Sequence, residues 1–467
     1  MASYKLLING KLVSGSATME VINPATEAVL GVCPRGGETE MEEAIQAAKS
    51  AFPAWSYRPI SERRAMLMAL ADRIDAQQEE LARLLTQEQG KPLVDAKAEI
   101  LYTGIFIRSI ASQDLPIKIL EYGNTKRVEQ HRLPIGVVGA IIPWNFPVLL
   151  MAFKLPAALL AGNTIVLKPS PTTPLTTLKI GEIMVDLFPA GVVNIITDQN
   201  DLGEYLTKHP DVAKISFTGS SATGKKVMAS AATTLKRLTL ELGGNDAAIV
   251  LPGANPETVA QGIFNGAFMN AGQVCLAIKR AYVHESIYDE VVEHLSTLAK
   301  AAVVDNGLHQ GTTMGPMQNK MQYEKVKNFL EIARVDGRIV TGGEVLDKPG
   351  FFVLPTIVAD IDNRSLLVQE EQFGPILPVV KYASPQEALK NANASPWGLG
   401  GSVWGPDRDA ARSIALQMET GTAWINKHLD FGPTIPFGGA KQSGIGAELA
   451  EEGLLEFTQL HIINEAL

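Results

Sequence analysis

Ile135-Gly136-Val137-Val138-Gly139-Ala140-Ile141-Ile142 is the first of five short apolar runs between residues 135 and 250. The others lie at 164–167, 192–196, 214–217 and 247–250, with helix-like segments such as 175–187 and 202–209 between them. Short apolar runs at this spacing suit strands buried on both faces and joined by crossover helices. The expectation is an α/β protein built on a doubly wound, Rossmann-like parallel sheet. A second alternating region runs from 255 to 425, with strand candidates at 281–284, 339–340, 377–380 and 422–425. It predicts a second sheet domain.

Upstream, residues 4–32 read as short strands with turns at Asn9-Gly10 and Asn23-Pro24. Residues 61–87 read as one amphipathic helix. Leu67, Leu70, Ile74, Leu81 and Leu84 share a face, Ser61 is placed to cap the start, and Gly90-Lys91-Pro92 stops it. The chain ends in a polar helix-like stretch and an apolar run, Leu460-His461-Ile462-Ile463.

A chain of 467 residues has room for two or three domains. The formal charge of −9 and the lack of a basic run argue against a nucleic-acid or anionic-membrane partner. No charged-then-apolar leader precedes the first strand-like run, and the greasiest stretch, 146–162, is broken by Pro147, Lys154 and Pro156. The expected location is cytoplasmic. The two cysteines, Cys33 and Cys275, form no C-x-x-C pair, which fits a reducing compartment. The seven histidines show no ligand spacing, so no metal is expected.

Cys275 lies in the small-residue turn Asn270-Ala271-Gly272-Gln273-Val274-Cys275, where a thiol can be presented to a ligand. Glu241 lies on another such turn, Glu241-Leu242-Gly243-Gly244-Asn245. A thiolate and a carboxylate together can run covalent catalysis followed by hydrolysis. The competing reading is an inert, buried cysteine. Phe217-Thr218-Gly219-Ser220-Ser221-Ala222-Thr223-Gly224-Lys225-Lys226 follows a strand candidate and opens a helix, a place where backbone N–H groups can meet phosphate. It is not a P-loop, because Lys226 stands where a magnesium-binding Ser or Thr is needed, and it lacks G-x-G-x-x-G. Alone it fits a phosphate cradle or an ordinary turn. A nucleotide hydrolase is the reading from another class, and an ATP-turnover assay discriminates it.

Taken together, Pro143-Trp144-Asn145-Phe146-Pro147, Lys168-Pro169-Ser170, Phe217-Thr218-Gly219-Ser220, Glu241-Leu242-Gly243-Gly244, Gly272-Gln273-Val274-Cys275, Glu370-Glu371-Gln372-Phe373-Gly374-Pro375 and Pro436-Phe437-Gly438-Gly439 resemble the aldehyde dehydrogenase superfamily in order and spacing. Ile22-Asn23-Pro24-Ala25-Thr26 and Gly446-Ala447-Glu448-Leu449 extend the resemblance to both ends. It implies an NAD(P)-binding domain over 1–115 and 133–242, a catalytic domain over 243–440, and oligomerisation segments at 116–132 and 441–467. It implies Cys275 as nucleophile, Asn145 as oxyanion donor, Glu241 as base for the hydrolytic water, and Glu448 as a second carboxylate in proton traffic. The implied cofactor residues are Trp144, Lys168, Ser170, Gly219, Ser220, Gly224, Leu242, Glu371 and Phe373. Of these, Lys168 and Glu371 would meet the adenosine and nicotinamide riboses, and Ser220 the pyrophosphate. The implied partners are a small aldehyde and copies of the same chain, as a homodimer or homotetramer.

Pro171 stands where NAD-preferring members often carry a glutamate that repels a 2′-phosphate, so both NAD and NADP are expected cofactors. Asn245-Asp246 stands where lysine is more usual. The implied substrate pocket is Phe146, Leu149, Phe153, Met269, Val274, Leu276, Phe431 and Phe437, none of them charged, with His428 and Asp430 near its rim. The expected activity is oxidation of an uncharged, medium-chain or aromatic aldehyde to the acid. A succinic-semialdehyde-type or coenzyme-A-acylating dehydrogenase is the alternative on the same scaffold.

Overall fold

The computed structural model describes residues 4–467. Its first sheet has eight strands in the order Lys11–Val13, Leu6–Ile8, Val193–Ile195, Thr164–Lys168, Val137–Ile141, Val212–Thr218, Arg237–Glu241 and Gly444–Ile445. The central five, from Val193–Ile195 to Arg237–Glu241, are parallel, and antiparallel strands close both edges. Four apolar runs of the 135–250 region therefore form strands of one parallel sheet, as expected. The fifth does not. Asp246–Val250 sits inside a second, seven-stranded sheet, between Ile278–His284 and Gly400–Trp404. The fifth parallel strand of the first sheet is Arg237–Glu241, whose alternating Arg237, Thr239 and Glu241 hid it among apolar runs. The Leu242-Gly243-Gly244-Asn245 link is thus the crossing between the sheets.

The second sheet runs Arg338–Thr341, Thr356–Ala359, Ile376–Tyr382, Ile278–His284, Asp246–Val250, Gly400–Trp404 and Thr422–Ile425. It is parallel except for its first pair. Both sheets carry helices, and the α/β class with two parallel-sheet units holds. A third, three-stranded sheet joins Lys118–Tyr122, Lys126–Pro134 and Thr458–Ala466, so the terminal apolar run pairs with residues far upstream. Among the described residues no helix is long and apolar enough to cross a membrane.

The single helix expected at 61–87 is two, Ile60–Ala76 and Gln78–Gln89. Gln77, at φ −111° and ψ 16°, leaves the helical region between them. Pro59 rather than Ser61 precedes the first turn, and the side chain of Ser61 caps nothing. Leu67, Leu70 and Ile74 are buried before the break. After it the buried apolar positions are Leu81, Ala82 and Leu85, with Leu84 only half-buried. The helix Pro147–Leu160 is buried at every position, which explains its composition.

Register matters most for function. Ile141 pairs with Lys168, and Thr218 with Glu241, so the carboxyl ends of four parallel strands lie along one edge. The turns leaving those ends carry Trp144, Asn145, Ser170, Gly219, Ser220 and Leu242. Open parallel sheets bind ligands at this edge.

Candidate active site

A cavity of about 960 Å³ lies along that edge. Trp144, Asn145, Lys168, Ser170, Gly219, Ser220, Leu242, Cys275, Glu371 and Phe373 all line it. These residues come from both sheet units and span more than 200 positions of sequence. Gly224 does not line it. It lies buried on the helix Ser221–Ala231, where a Cβ would fall 2.5 Å from Leu242, so it lets the helix approach that residue.

The turn bearing Cys275 is held under strain. Asn270 and Ala271 have φ of 51° and 55°, left-handed values that cost about 1–3 kcal/mol each and persist only where surroundings enforce them. Gly272 follows at φ +73°, and a Cβ there would lie 2.3 Å from the Gly374 carbonyl. Glycine is required by both conformation and space. This contact locks the Cys275 turn to the segment bearing Glu371 and Phe373.

Every carbonyl from Gln273 to Ala277 has a donor. Asn145 Nδ2 donates to Gln273 O at 3.1 Å. Lys279 Nζ donates to Val274 O at 2.9 Å, Cys275 O at 2.8 Å and Ala277 O at 3.3 Å. His428 Nε2 donates to Leu276 O at 2.7 Å. Its Nδ1 accepts from Ser402 Oγ at 3.0 Å, and Trp404 Nε1 donates to that same Oγ at 2.9 Å. Burial drives the imidazole pKa down to about 3, so His428 is a neutral brace beneath the turn. Asp430 is exposed and paired with Lys427. Neither rim candidate reaches the pocket.

Asn145 is 5% exposed and has a second N–H on its amide for an oxyanion. Its carbonyl accepts from Lys91 Nζ at 3.0 Å and Asn270 Nδ2 at 3.2 Å. Lys91 is ion-paired with Glu99, both buried. Glu99 Oε1 in turn accepts from Val148 N at 3.1 Å and Leu149 N at 3.2 Å, capping the helix that follows Asn145. Lys91 therefore does more than punctuate a helix end; with Glu99 it fixes the backbone of Asn145.

Glu241 is buried, and neither carboxyl oxygen has a hydrogen-bond partner. Burial, then the charge of Glu448, raises its pKa well above the usual carboxylate range, while Lys154 opposes the rise. Its charge is also felt at Cys275. The Lys154–Glu448 pair that influences Glu241 has fully buried side chains. Glu448 Oε1 also accepts from Ser216 Oγ at 3.3 Å. Glu448 is thus buried and ion-paired. Lys154, read in the sequence only as a break in an apolar stretch, is its counter-ion.

At the far end of the cavity Lys168 Nζ meets Asp198 Oδ1 at 2.6 Å, and Asp198 Oδ2 accepts from Leu202 N. Ser220 caps the helix Ser221–Ala231, leaving that helix's N-terminal N–H groups beside the cavity. Glu371 Oε1 accepts from Gly244 N at 3.0 Å, and a Cβ on Gly243 would fall 2.6 Å from Glu371 Oε2. Phe373 stands edge-on to Trp144, ring centroids 5.4 Å apart. A long pocket with a helix N-terminus, a lysine and a carboxylate along it suits a dinucleotide.

Phe146, Leu149, Phe153, Val274, Leu276, Phe431 and Phe437 belong to one apolar cluster, and Cys275 packs against it. Phe153 lies 6.5 Å from Phe431 and 6.3 Å from Phe437. Phe106, which the sequence did not mark, stacks on Phe153 at 5.1 Å. Each such aromatic pair contributes about 0.5–1.5 kcal/mol beyond buried area. Met269 stands outside this buried cluster and is 47% exposed.

With this geometry in place, the comparisons are informative. The aldehyde dehydrogenase family model matches residues 12–463. Phenylacetaldehyde dehydrogenase of Pseudomonas fluorescens is 38% identical over 478 residues, covering 97% of this chain and 94% of that protein. The NAD+ complex of an aldehyde dehydrogenase from Bacillus cereus superposes with a TM-score of 0.97 at 36% identity, covering 100% of this chain and 97% of that one. Betaine aldehyde dehydrogenase from Staphylococcus aureus in complex with NAD+ gives 0.96 at 34% identity, covering 99% and 95%.

Proposed function

The chain belongs to the aldehyde dehydrogenase family and is an NAD(P)-dependent aldehyde oxidoreductase, and on that premise we propose that it oxidises uncharged, apolar aldehydes to carboxylic acids through a covalent intermediate on Cys275. One observation carries the substrate class: Phe146, Leu149, Phe153, Phe431 and Phe437 pack into one apolar cluster beside Cys275.

Cys275 Sγ attacks the aldehyde carbon, and the oxygen takes the charge beside the free N–H of Asn145. One such preorganised donor lowers the barrier by about 3 kcal/mol. A bound nicotinamide supplies the hydride acceptor. The thioester left on Cys275 is hydrolysed by a water whose proton passes to Glu241. Lys154 and Glu448 stand behind Glu241 to take up the change in charge. Buried Glu241 also argues against the acylating alternative, in which coenzyme A rather than water receives the acyl group; acyl-coenzyme A as the main product would reverse that.

In a screen, medium-chain aliphatic and aromatic aldehydes should exceed succinic semialdehyde and betaine aldehyde in kcat/KM. A charged substrate loses hydration against this lining, and the Lys91 ammonium over the Phe146 ring is already paired with Glu99. Each buried methylene contributes about 0.8 kcal/mol, so efficiency climbs with chain length until the pocket is full. Succinic semialdehyde as best substrate would mean that a cation reaches the pocket from elsewhere.

For the cofactor, Pro171 leaves room for either NAD or NADP, but Lys168 is not a free cation. Asp198 already neutralises it. We therefore favour NAD, with NADP accepted less well. Asp198→Asn should raise the NADP-to-NAD ratio of kcat/KM by about tenfold, the value of one charge-assisted hydrogen bond. An unchanged ratio would place discrimination in another group.

Leu120, Leu460, Ile462 and Ile463 on the three-stranded sheet are each 43–56% exposed. These exposed apolar side chains, spread over both faces of the sheet, support a homodimer or homotetramer. Light scattering should find no monomer at micromolar concentration; a monomer contradicts the assignment.

A further inference from the structure

Lys279 is an unusual residue to find beneath a nucleophile. It is 2% exposed on the strand Ile278–His284, four residues past Cys275. Its ammonium donates to three carbonyls of the Cys275 turn, at 2.8–3.3 Å. It also lies 3.9 Å from Glu371 Oε1 and over the Phe373 ring at 5.8 Å. No carboxylate holds it in a close pair, so its charge is aimed at the turn rather than spent on a partner.

The charged surroundings of Cys275 make that placement significant. Glu241 approaches from the end of its strand, Asp246 from the strand beside Lys279, and Glu371 from the loop across the cavity; all three oppose a thiolate. His428, beyond Leu276, is neutral. Asp246 is buried, its Oδ2 has no hydrogen-bond partner, and burial raises its pKa to about 7. Burial of the Cys275 thiol pushes it up to about 12, and Lys279 is the group that pulls it down. A nearby cation is one of the features that stabilise a thiolate.

We propose that Lys279 is the positioning residue of the nucleophile: its ammonium fixes the Cys275 turn through three carbonyls and supplies the positive charge that the thiolate faces. The inference rests on Cys275 being the nucleophile. It assigns to this lysine a double role, one geometric and one electrostatic, which two substitutions separate. Lys279→Gln keeps a hydrogen-bond donor and removes the charge. Lys279→Arg keeps the charge.

The test is the pH dependence of iodoacetamide alkylation at Cys275, followed by peptide mass in the full-length enzyme and both variants. For Lys279→Gln the midpoint should rise by at least about one pH unit, so that alkylation below it is about tenfold slower. For Lys279→Arg it should stay close to wild type, and kcat should recover with it. A Lys279→Gln midpoint equal to wild type overturns the proposal, even if turnover falls, because the lysine is then structural. So does a Lys279→Arg midpoint that rises as far as about one unit, a result that also decides the matter if the glutamine variant does not fold. Alkylation is read without turnover, so this outcome is independent of whether Cys275→Ala retains activity, which tests the nucleophile assignment itself.

Discussion

Cys275→Ala is expected to lower aldehyde-dependent NADH formation by about 10⁴-fold or more, the scale of losing a catalytic nucleophile, while NAD binding persists. No other thiol can replace it. Cys33, the second cysteine, is buried on the strand Val29–Arg35, and burial pushes its pKa to about 12. The rest of the cofactor cavity does not depend on the thiol, because Lys168, Ser220 and Glu371 are held by their own contacts. Isothermal titration with NAD and a turnover assay on the same preparation check both halves. Substantial residual turnover would remove the covalent mechanism.

Glu241→Gln is expected to separate the two half-reactions. Glutamine fills the same buried space but accepts no proton, so acyl transfer to water should slow by about 10²–10⁴-fold. Rapid mixing should show a burst of NADH close to one per site, then slow turnover. The wild-type enzyme carries a further signature. Its base works only when ionised, and its pKa is raised by burial and by Glu448. The rising limb of kcat should therefore lie above the ordinary carboxylate range and be lost in the variant. Unchanged steady-state turnover would place the base elsewhere.

The residues proposed as nucleophile and oxyanion donor, and most of those proposed for the cofactor, were legible in the sequence and line one cavity, for a physical reason. Those groups sit on turns whose small residues and aromatic neighbours are unusual enough to recognise. The groups that hold them in place were hidden. Lys91 looked like helix punctuation and Lys154 like a flaw in an apolar stretch, because a buried ion pair shows itself only when its partner, Glu99 or Glu448, is brought alongside. Glu448 lies 294 residues from Lys154. Lys279 lay in plain view beside Cys275, yet nothing in the chain says that its ammonium folds back onto the turn. Nothing in the sequence pairs Asp198 with Lys168, and that pairing changes the cofactor argument that Pro171 opens. The misassigned strand has a similar origin. Asp246–Val250 looks like its neighbours in composition, and only the crossing at Gly243-Gly244 transfers it to the second sheet.

The most direct measurement is the mass of the Cys275 peptide from Glu241→Gln enzyme mixed with NAD and an apolar aldehyde, then acid-quenched within the burst. The account predicts that this peptide gains the mass of the acyl group, in an amount matching the NADH burst. An unmodified Cys275 peptide, or an acyl group found on another residue, would contradict it.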